Sequence, residues 1–177
     1  GDSQSDEERF LSVLTQAMEE GTIVDAVIAQ NQGERNAMWA IRDDVGQVAQ
    51  NWPIFTFDIS VPLNNMESYL IALRAELDDR WQGNTCMVFG HLGDGNLHII
   101  VGMGESSAEA KKAVEEVVYR GLPERGGSVS AEHGIGVQKK AYLGMSRNAD
   151  EIALMQMMKT ALDPKGILNP GKIFSVE

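Results

Sequence analysis

Two of the three histidines in the chain, His91 and His98, flank a glycine-rich turn within the segment Val88–Gly102. The apolar runs on either side predict a β-hairpin, and Asp94-Gly95 suits a two-residue type I′ turn because both turn positions need positive φ. In that register the two histidines face each other directly, with Cβ atoms about 5 Å apart. This pairing predicts a metal site. The alternative is that each histidine caps a strand or hydrogen-bonds in the core.

Glu132 is the best candidate for a third metal ligand. It lies at the end of a predicted short strand, Ser128–Glu132, among small and polar residues. Two histidines and one carboxylate, with positions left open, form the ligand pattern of a catalytic divalent metal. Asp94 is a rival ligand, although its place in the turn already explains it.

His133, the neighbour of Glu132, is suited to a different role. A neutral imidazole beside a cation can take a proton near neutral pH. A metal that binds a hydroxyl oxygen lowers the pKa of that hydroxyl, so the two groups would cooperate. Strand alternation puts Glu132 and His133 on opposite sides unless the following glycines bend the chain.

Strands and helices alternate in the middle of the chain. Ile54–Val61 and Ser128–Glu132 are the expected outer strands, and the hairpin supplies two more. The order strand, helix, strand, strand, helix, strand is the split pattern of ferredoxin-like folds. It predicts an α+β fold: an antiparallel sheet with helices on one face, and further helices at both ends of the chain. The expected helices are Arg9–Glu20, Ile23–Gln30, Glu34–Gln50, a helix from Asn64 or Asn65 to about Trp81, Ala108–Leu122 and Asp150–Leu162.

The two faces of this sheet are expected to differ. One face packs on the helices through apolar residues of the hairpin, and the face that carries His91 and His98 is left for a ligand or another domain. In a ferredoxin-like sheet the fourth strand pairs with the first. Glu132 would therefore have to reach across the first strand to meet His98. The apolar hairpin residues are Val88, Leu97, Ile99 and Val101.

Composition limits the possible partners and location. A chain of 177 residues forms one domain or slightly more, and its net charge of −11 argues against nucleic acid. The single cysteine, Cys86, rules out a disulfide framework and favours a reducing compartment. No apolar run approaches the roughly 20 residues of a transmembrane helix. We expect a cytoplasmic protein; peripheral attachment to the inner membrane and, for a eukaryotic source, a mitochondrial location are the alternatives.

Three long motifs resemble one known family, in the right order. They are Gly90–His98 (GHLGDGNLH), Ser130–Gly136 (SAEHGIG) and Leu162–Lys172 (LDPKGILNPGK). They look like the signatures of the FAD-linked oxidase C-terminal domain. This domain belongs to the flavoproteins of the vanillyl-alcohol-oxidase type, in the D-lactate, glycolate and D-2-hydroxyglutarate dehydrogenase branch. The resemblance runs from about Trp39 to Phe174.

The resemblance implies an enzyme that oxidises a D-2-hydroxy acid to a 2-oxo acid and passes hydride to FAD. It implies that His91, His98 and Glu132 bind a divalent metal, zinc or manganese, and that His133 is the catalytic base. Arg42 matches an arginine that clamps a substrate carboxylate. Asn169 matches a residue close to the flavin.

The same resemblance predicts the domain organisation. Residues 1–177 would form a single substrate or cap domain, a fragment whose partner is an N-terminal FAD-binding domain of the same protein. The fragment alone is expected to be inactive. The alternative, from a different class, is a non-catalytic ferredoxin-like module that binds a metal or a small acid, or mediates assembly.

The chain departs from the family pattern at two positions. Relatives often carry lysine where this chain has Thr56, and asparagine where it has Ile100. Both family residues help to hold substrate. Burying an unpaired carboxylate is costly, so a dicarboxylate needs two positive clamps besides the metal. Arg42 supplies one, and Lys139 could supply another only if its helix turns toward the pocket. The sequence therefore favours a substrate with one carboxylate, such as D-lactate or a larger apolar D-2-hydroxy acid.

Overall fold

The computed structural model describes residues 3–51 and 53–175, and the chain divides after Gln47 into two units. The first unit contains helices α1 (Ser3–Glu19) and α2 (Gln32–Asp43). The side chain of Asn31 accepts a hydrogen bond from the Glu34 amide and so caps α2. The helix expected up to Gln50 is instead divided, because α2 ends at Asp43 and a 3₁₀ helix, Val45–Asn51, follows.

The helix expected at Ile23–Gln30 is wrong, because this segment contains no helix. Gly21 adopts a φ of 70° and ends α1, and β-branched residues dominate the start of the segment that follows. Val24 and Val27 are 96% and 78% exposed. Short helices draw most of their stability from packing, and these exposed side chains provide none.

The second unit is built on a three-stranded antiparallel sheet. Its strands are β1 (Ile54–Ser60), β2 (Thr85–His91) and β3 (Asn96–Gly102), and the spatial order is β1-β3-β2. Helix α3 (Leu63–Arg80) joins β1 to β2, and helix α4 (Ala108–Arg120) follows β3. The predicted α+β fold with an antiparallel sheet is confirmed.

One face of the sheet packs on α3 and α4 to form the core. Alternate strand residues point toward the helices, as the period of two in a strand requires. The helices contribute residues at three- and four-residue spacing, which places them on one side of each helix. The shared core consists of Phe55, Phe57, Ile59, Leu97, Ile99 and Val101 from the strands, with Tyr69, Leu73, Leu77, Val114, Val117 and Val118 from the helices.

The hairpin has a different register from the one expected. His91 pairs with Asn96 and Phe89 pairs with His98, so the loop has four residues rather than two. The turn contacts the end of β1, where the Val61 amide donates to the Gly95 carbonyl at 3.0 Å. Because the slip is two residues, His91 and His98 stay on the same face, now as diagonal neighbours.

The predicted fourth strand is also wrong. Ser128 forms an isolated antiparallel bridge with Ser60, at the edge of β1 where that strand was expected. Beyond the bridge the chain leaves the sheet, because the backbone amides of residues 131–133 donate to the Asp58 carboxylate instead of to a neighbouring strand. A buried carboxylate therefore replaces a strand ladder as the hydrogen-bond partner of this segment.

The C-terminal part contains a 3₁₀ helix, Lys140–Met145, and helix α5, Ala149–Leu162; a shorter 3₁₀ helix, Pro123–Arg125, follows α4. Asn148 and Glu151 form a capping box at the start of α5. The final segment returns toward the glycine-rich stretch after His133, where the Ile173 amide donates to the Gly136 carbonyl at 2.7 Å. Among the described residues, no helix is long and apolar enough to cross a membrane.

Candidate functional site

The sheet face opposite the helices carries the candidate site. Partners in an antiparallel register share a face, so Asp58 and His98 lie side by side on β1 and β3. His91, diagonal to His98 on β2, completes a polar patch at the turn end of the sheet. The rings of His91 and His98 lie 5.8 Å apart and are nearly perpendicular.

Glu132 reaches both histidines of this patch. Its Oε1 lies 3.2 Å from His91 Nδ1, and its Oε2 lies 4.0 Å from His98 Nε2. In a tetrahedral zinc site the bonds are about 2.0–2.1 Å long, which places ligand atoms roughly 3.3 Å apart. The three side chains therefore fit a divalent metal after small movements. One donor atom from each lies within 4.8 Å of the others.

A second group of three, Asp58, His98 and His133, also brings ligand atoms within 4.8 Å of one another. It fits a cation less well. Asp58 Oδ2 lies 3.2 Å from the ammonium of Lys139, whose positive charge would repel a metal. The carboxylate oxygens of Asp58 also accept hydrogen bonds from several other donors. Glu132 has no such competition from a lysine in the described structure, which favours the first group.

Asp58 is 1% exposed and accepts an unusually large set of hydrogen bonds. Its Oδ2 accepts bonds of 2.9–3.2 Å, and its Oδ1 accepts from the Glu132 amide at 3.1 Å. Burial alone raises the pKa of this carboxyl, and the hydrogen bonds from the amides of His133 and Glu132 lower it. The charge of Lys139 and the hydroxyl of Ser130 add to the effect, and the pKa is lowered to about 2.

Lys139 completes this cluster from the next segment of the chain. Its ammonium donates to the backbone carbonyl of Asp58 at 2.8 Å as well as to the carboxylate. Burial lowers the pKa of Lys139, and the nearby Asp58 opposes that effect. The ammonium of Lys139 is therefore already paired with Asp58. It is not free to act as the second substrate clamp considered from the sequence.

His133 lies beside the three candidate ligands. Its ring stacks on the His98 ring at a centroid distance of 5.9 Å and an angle of 21°, and its Nδ1 lies 3.9 Å from Asp58 Oδ2. The side chain is 66% exposed. Glu132 and His133 thus reach the same region, because the chain bends around Asp58 rather than continuing as a strand.

Two further polar residues lie next to His91: Asp94 in the turn and Asn96 at the start of β3. Asp94 Oδ2 lies 3.7 Å from His91 Nδ1, and Asp94 Oδ1 accepts from the Asn96 amide at 3.1 Å, so this side chain belongs to the turn. Asn96 is 2% exposed, and its side-chain carboxamide has no hydrogen-bond partner among the described residues.

Asn169 lies in an exposed turn near the C-terminus and has a φ of 49°. The preceding residues are organised by Asp163, which accepts from the amides of Ile167 and Leu168 at 3.1 and 2.9 Å. Lys159 donates to the same carboxylate. Asp58 links the first two motifs, since it pairs with His98 and accepts from the Glu132 amide. Ile173, directly after the third motif, donates to the Gly136 carbonyl of the second.

Arg42 belongs to the first unit. It lies in the last turn of α2 and forms an exposed ion pair with Asp43 at 3.0 Å. Both side chains of this pair are solvent-exposed, at 43% for Arg42 and 59% for Asp43.

Sequence reasoning missed Asp58 as part of the site, and it considered Lys139 only as a second substrate clamp and not as the partner of Asp58. Asp58 was visible as one of the polar residues that alternate with apolar ones in β1, a pattern that an exposed sheet face also gives. Its burial depends on the segment 130–139 folding over it, and nothing in the spacing indicates that contact.

The comparisons with known proteins agree with the motifs. Residues 1–173 match the family described as FAD linked oxidases, C-terminal domain. The chain belongs to this family, which confirms the resemblance and extends it toward the N-terminus.

Several proteins that are similar to this chain carry the name D-2-hydroxyglutarate dehydrogenase. The chain is 39% identical over 168 residues to the mitochondrial D-2-hydroxyglutarate dehydrogenase of Rattus norvegicus, covering 94% of this chain and 31% of that protein. It is 35% identical over 176 residues to the D-2-hydroxyglutarate dehydrogenase of Xanthomonas citri pv. viticola, covering 97% and 37%. A mitochondrial enzyme of that name from Arabidopsis thaliana is 35% identical over 173 residues, covering 97% and 30%. The chain spans about a third of the length of these relatives.

Proposed function

We propose that this chain is the substrate-binding and catalytic domain of an FAD-dependent D-2-hydroxy-acid dehydrogenase. The observation that carries the proposal is the Glu132 carboxylate lying between His91 and His98 in a member of the FAD-linked oxidase family. In this proposal the three side chains hold a divalent metal, zinc or manganese. An N-terminal domain of the same protein binds most of the FAD.

Each remaining site residue has a separate task in the proposed reaction. Arg42 binds the substrate carboxylate, and His133 takes the proton of the substrate hydroxyl on its imidazole. Asn169 lies close to the flavin. When bound, FAD would supply the hydride acceptor, and the divalent metal would polarise the hydroxyl group of the substrate.

The substrate class is narrower than the family alone requires. The names of the relatives favour D-2-hydroxyglutarate. The residues of this chain favour a substrate with one carboxylate, since Thr56 and Ile100 on the site face are uncharged and Lys139 is paired with Asp58. We propose a D-2-hydroxy monocarboxylate such as D-lactate or a larger apolar analogue.

The proposed cellular location depends on the source organism. A chain from a bacterium would act in the cytoplasm or at the inner face of the membrane. A chain from a eukaryote would act in mitochondria, as the names of the rat and Arabidopsis relatives indicate for those proteins.

The test uses the purified full-length protein. Metal content is measured by elemental analysis, and a panel of D-2-hydroxy acids is screened for reduction of the bound flavin. His98→Ala should remove the metal and most of the activity while preserving the fold, because His98 lies outside the hydrophobic core. Unchanged metal content in His98→Ala would contradict the ligand assignment.

A further inference from the structure

We propose that Asp58, with Lys139 as its counter-ion, is a positioning residue that holds the segment Ser130–His133 so that Glu132 reaches His91 and His98. This inference rests on the proposed function, because it concerns the metal role assigned there to Glu132. Asp58 touches neither substrate nor cofactor in this proposal. It acts by holding the backbone of Glu132 and His133, which are the residues that contact the metal and the substrate in this proposal.

The first step is the number of bonds that one carboxylate makes to one short segment. Four consecutive residues donate to Asp58, and the carboxylate is almost fully buried. Hydrogen bonds to an ionised acceptor are stronger than neutral ones, and they are stronger still when buried. The donors are the Ser130 hydroxyl at 3.0 Å and the amides of Ala131, Glu132 and His133 at 3.1, 3.1 and 2.9 Å.

The second step is the direction that these bonds impose. The Glu132 amide donates to both carboxylate oxygens, so its backbone is fixed directly above β1. Asp58 is paired with His98 in the sheet register. A segment held at Asp58 therefore holds Glu132 beside the neighbouring strand, and its carboxylate can reach His91 one strand further on. The reach across the first strand, which the sequence left unexplained, follows from this anchor.

The third step is that the amides of residues 131–133 share one acceptor, whereas the amides of the residues before them donate to other partners. Ser128 pairs with Ser60 in an isolated bridge, and the Val129 amide donates a hydrogen bond to the Ser146 hydroxyl oxygen at 2.8 Å. Beyond Val129, the backbone amides of residues 131–133 all donate to the Asp58 carboxylate. Glycines follow at 134 and 136, and a Cβ at either position would meet nothing within 4 Å. The glycines themselves therefore add no side-chain packing next to residues 131–133, whose amides are held by Asp58.

The positive charge of Lys139 balances the negative charge of the Asp58 carboxylate. Its ammonium contacts the Asp58 carboxylate and carbonyl, and it is 13% exposed. Removing the carboxylate charge would leave this ammonium without its partner. A carboxamide at position 58 would also turn one acceptor into a donor. Groups that hold metal ligands in place typically change metal affinity by roughly 10–100-fold when substituted.

The experiment compares Asp58→Asn with a matched control, Asp163→Asn, in the full-length protein. Asp163 is also a buried carboxylate that accepts two backbone amides and a lysine ammonium, but it organises the turn at 164–168. Metal-free protein is titrated with Zn²⁺ and Mn²⁺, and hydrogen exchange of a peptide covering residues 128–134 is followed by mass spectrometry. Asp58→Asn should bind metal roughly 10–100-fold more weakly and exchange faster in this peptide, even without metal.

The control should keep the affinity for both metals and the exchange of this peptide at the level of the unsubstituted protein. If Asp58→Asn does not fold, Ser130→Ala removes a single bond to the carboxylate. It should then weaken metal binding about 2- to 10-fold in the same direction. Wild-type metal affinity or wild-type exchange of residues 128–134 in the folded Asp58 or Ser130 variant would overturn the positioning role.

His98→Ala in the same titration separates this inference from the proposed function. Metal binding that survives His98→Ala shows that the metal assignment itself has failed, and the positioning role for that metal fails with it. Metal binding that is lost in His98→Ala but unchanged in Asp58→Asn leaves the proposed function standing and overturns only the role of Asp58.

Discussion

His133 is the most exposed histidine of the candidate site, at 66% of its side chain against 41% for His91 and 17% for His98. Exposure suits a group that must meet a substrate, whereas the less exposed His98 suits a metal ligand. We predict that His133→Ala lowers kcat about 10²–10⁴-fold, the usual loss for a general base, with a much smaller change in KM.

Steady-state kinetics of the full-length protein check this prediction. Metal content is the control, because His133 is not among the proposed ligands and the variant should retain the metal. A variant with a raised KM and an unchanged kcat would assign His133 to substrate binding instead.

The lowered pKa of Asp58 predicts a pH dependence of stability. In the folded protein the pKa is about 2, below its ordinary value of 3.8, so the ionised form stabilises the fold. This contribution is complete above about pH 4 and is lost as the pH falls through about 2. One pKa unit corresponds to about 1.4 kcal/mol, so the expected size is about 2 kcal/mol.

The measurement is the free energy of unfolding of the wild type and of Asp58→Asn between pH 7 and pH 2. The asparagine variant lacks the titrating group, so the difference between the two proteins should narrow toward pH 2. A difference that stays constant over this range would show that ionisation of Asp58 does not stabilise the fold.

At the residue scale, sequence motifs predict which side chains belong to the candidate site, but they do not predict the contacts that hold those side chains in place. Spacing and resemblance single out His91, His98, Glu132 and His133, and the structure brings their side chains together. Asp58 was not chosen, because its importance depends on donors more than 70 residues away along the chain. Side-chain types can be read locally, whereas burial of a polar group under a distant segment cannot.

At the element scale the hairpin turn depends on the close approach of Gly95 to the backbone of Val61. Gly95 has a φ of 74°, and a Cβ there would lie 2.4 Å from the Val61 carbonyl oxygen. We predict that Gly95→Ala destabilises the protein by about 2 kcal/mol or more, since the left-handed conformation alone costs an L-residue about 1–2 kcal/mol. Urea-induced unfolding measures the change.

Gly93→Ala is the matched control in the same loop. A Cβ at Gly93 meets nothing within 4 Å, and its φ lies outside the left-handed region. Its stability should change by less than about 1 kcal/mol. Equal losses for the two substitutions would contradict the proposed docking of the turn on Val61.

The same contacts explain which elements were predictable. The period of two in β1 and the helical periodicity of α4 and α5 gave the right elements, because each pattern is local. The hairpin register was wrong by two residues because Asp94-Gly95 favours a short turn locally, while Val61 holds a longer one. The strand at Ser128–Glu132 was wrong because Asp58 takes the amides that a strand would pair.

At the scale of the whole molecule, the family and the coverage of its relatives predict how flavin is bound. The chain belongs to a C-terminal domain family and corresponds to about a third of the relatives' length. We predict that the 177-residue chain alone binds no FAD tightly and shows no turnover. Absorbance spectra of the purified chain after incubation with FAD provide the test. Stoichiometric bound flavin would contradict the proposed division between domains.

The distribution of positive charge predicts the substrate. A dicarboxylate needs a second cation besides the proposed metal and the proposed clamp Arg42, because an unpaired buried carboxylate is costly. On the site face, Thr56 is exposed and Ile100 is buried, and neither carries a charge. Lys139 is already paired with Asp58. We therefore predict a higher kcat/KM for D-lactate, or for a larger apolar D-2-hydroxy acid, than for D-2-hydroxyglutarate.

Thr56→Lys provides a matched test of the same argument in the full-length protein. Thr56 faces the site from β1 two residues before Asp58, and its exposure leaves space for a longer side chain. The substitution should raise kcat/KM for D-2-hydroxyglutarate relative to D-lactate, and Thr56→Met, of similar length without charge, should not. A clear preference of the unsubstituted protein for the dicarboxylate would show that another cation reaches the substrate.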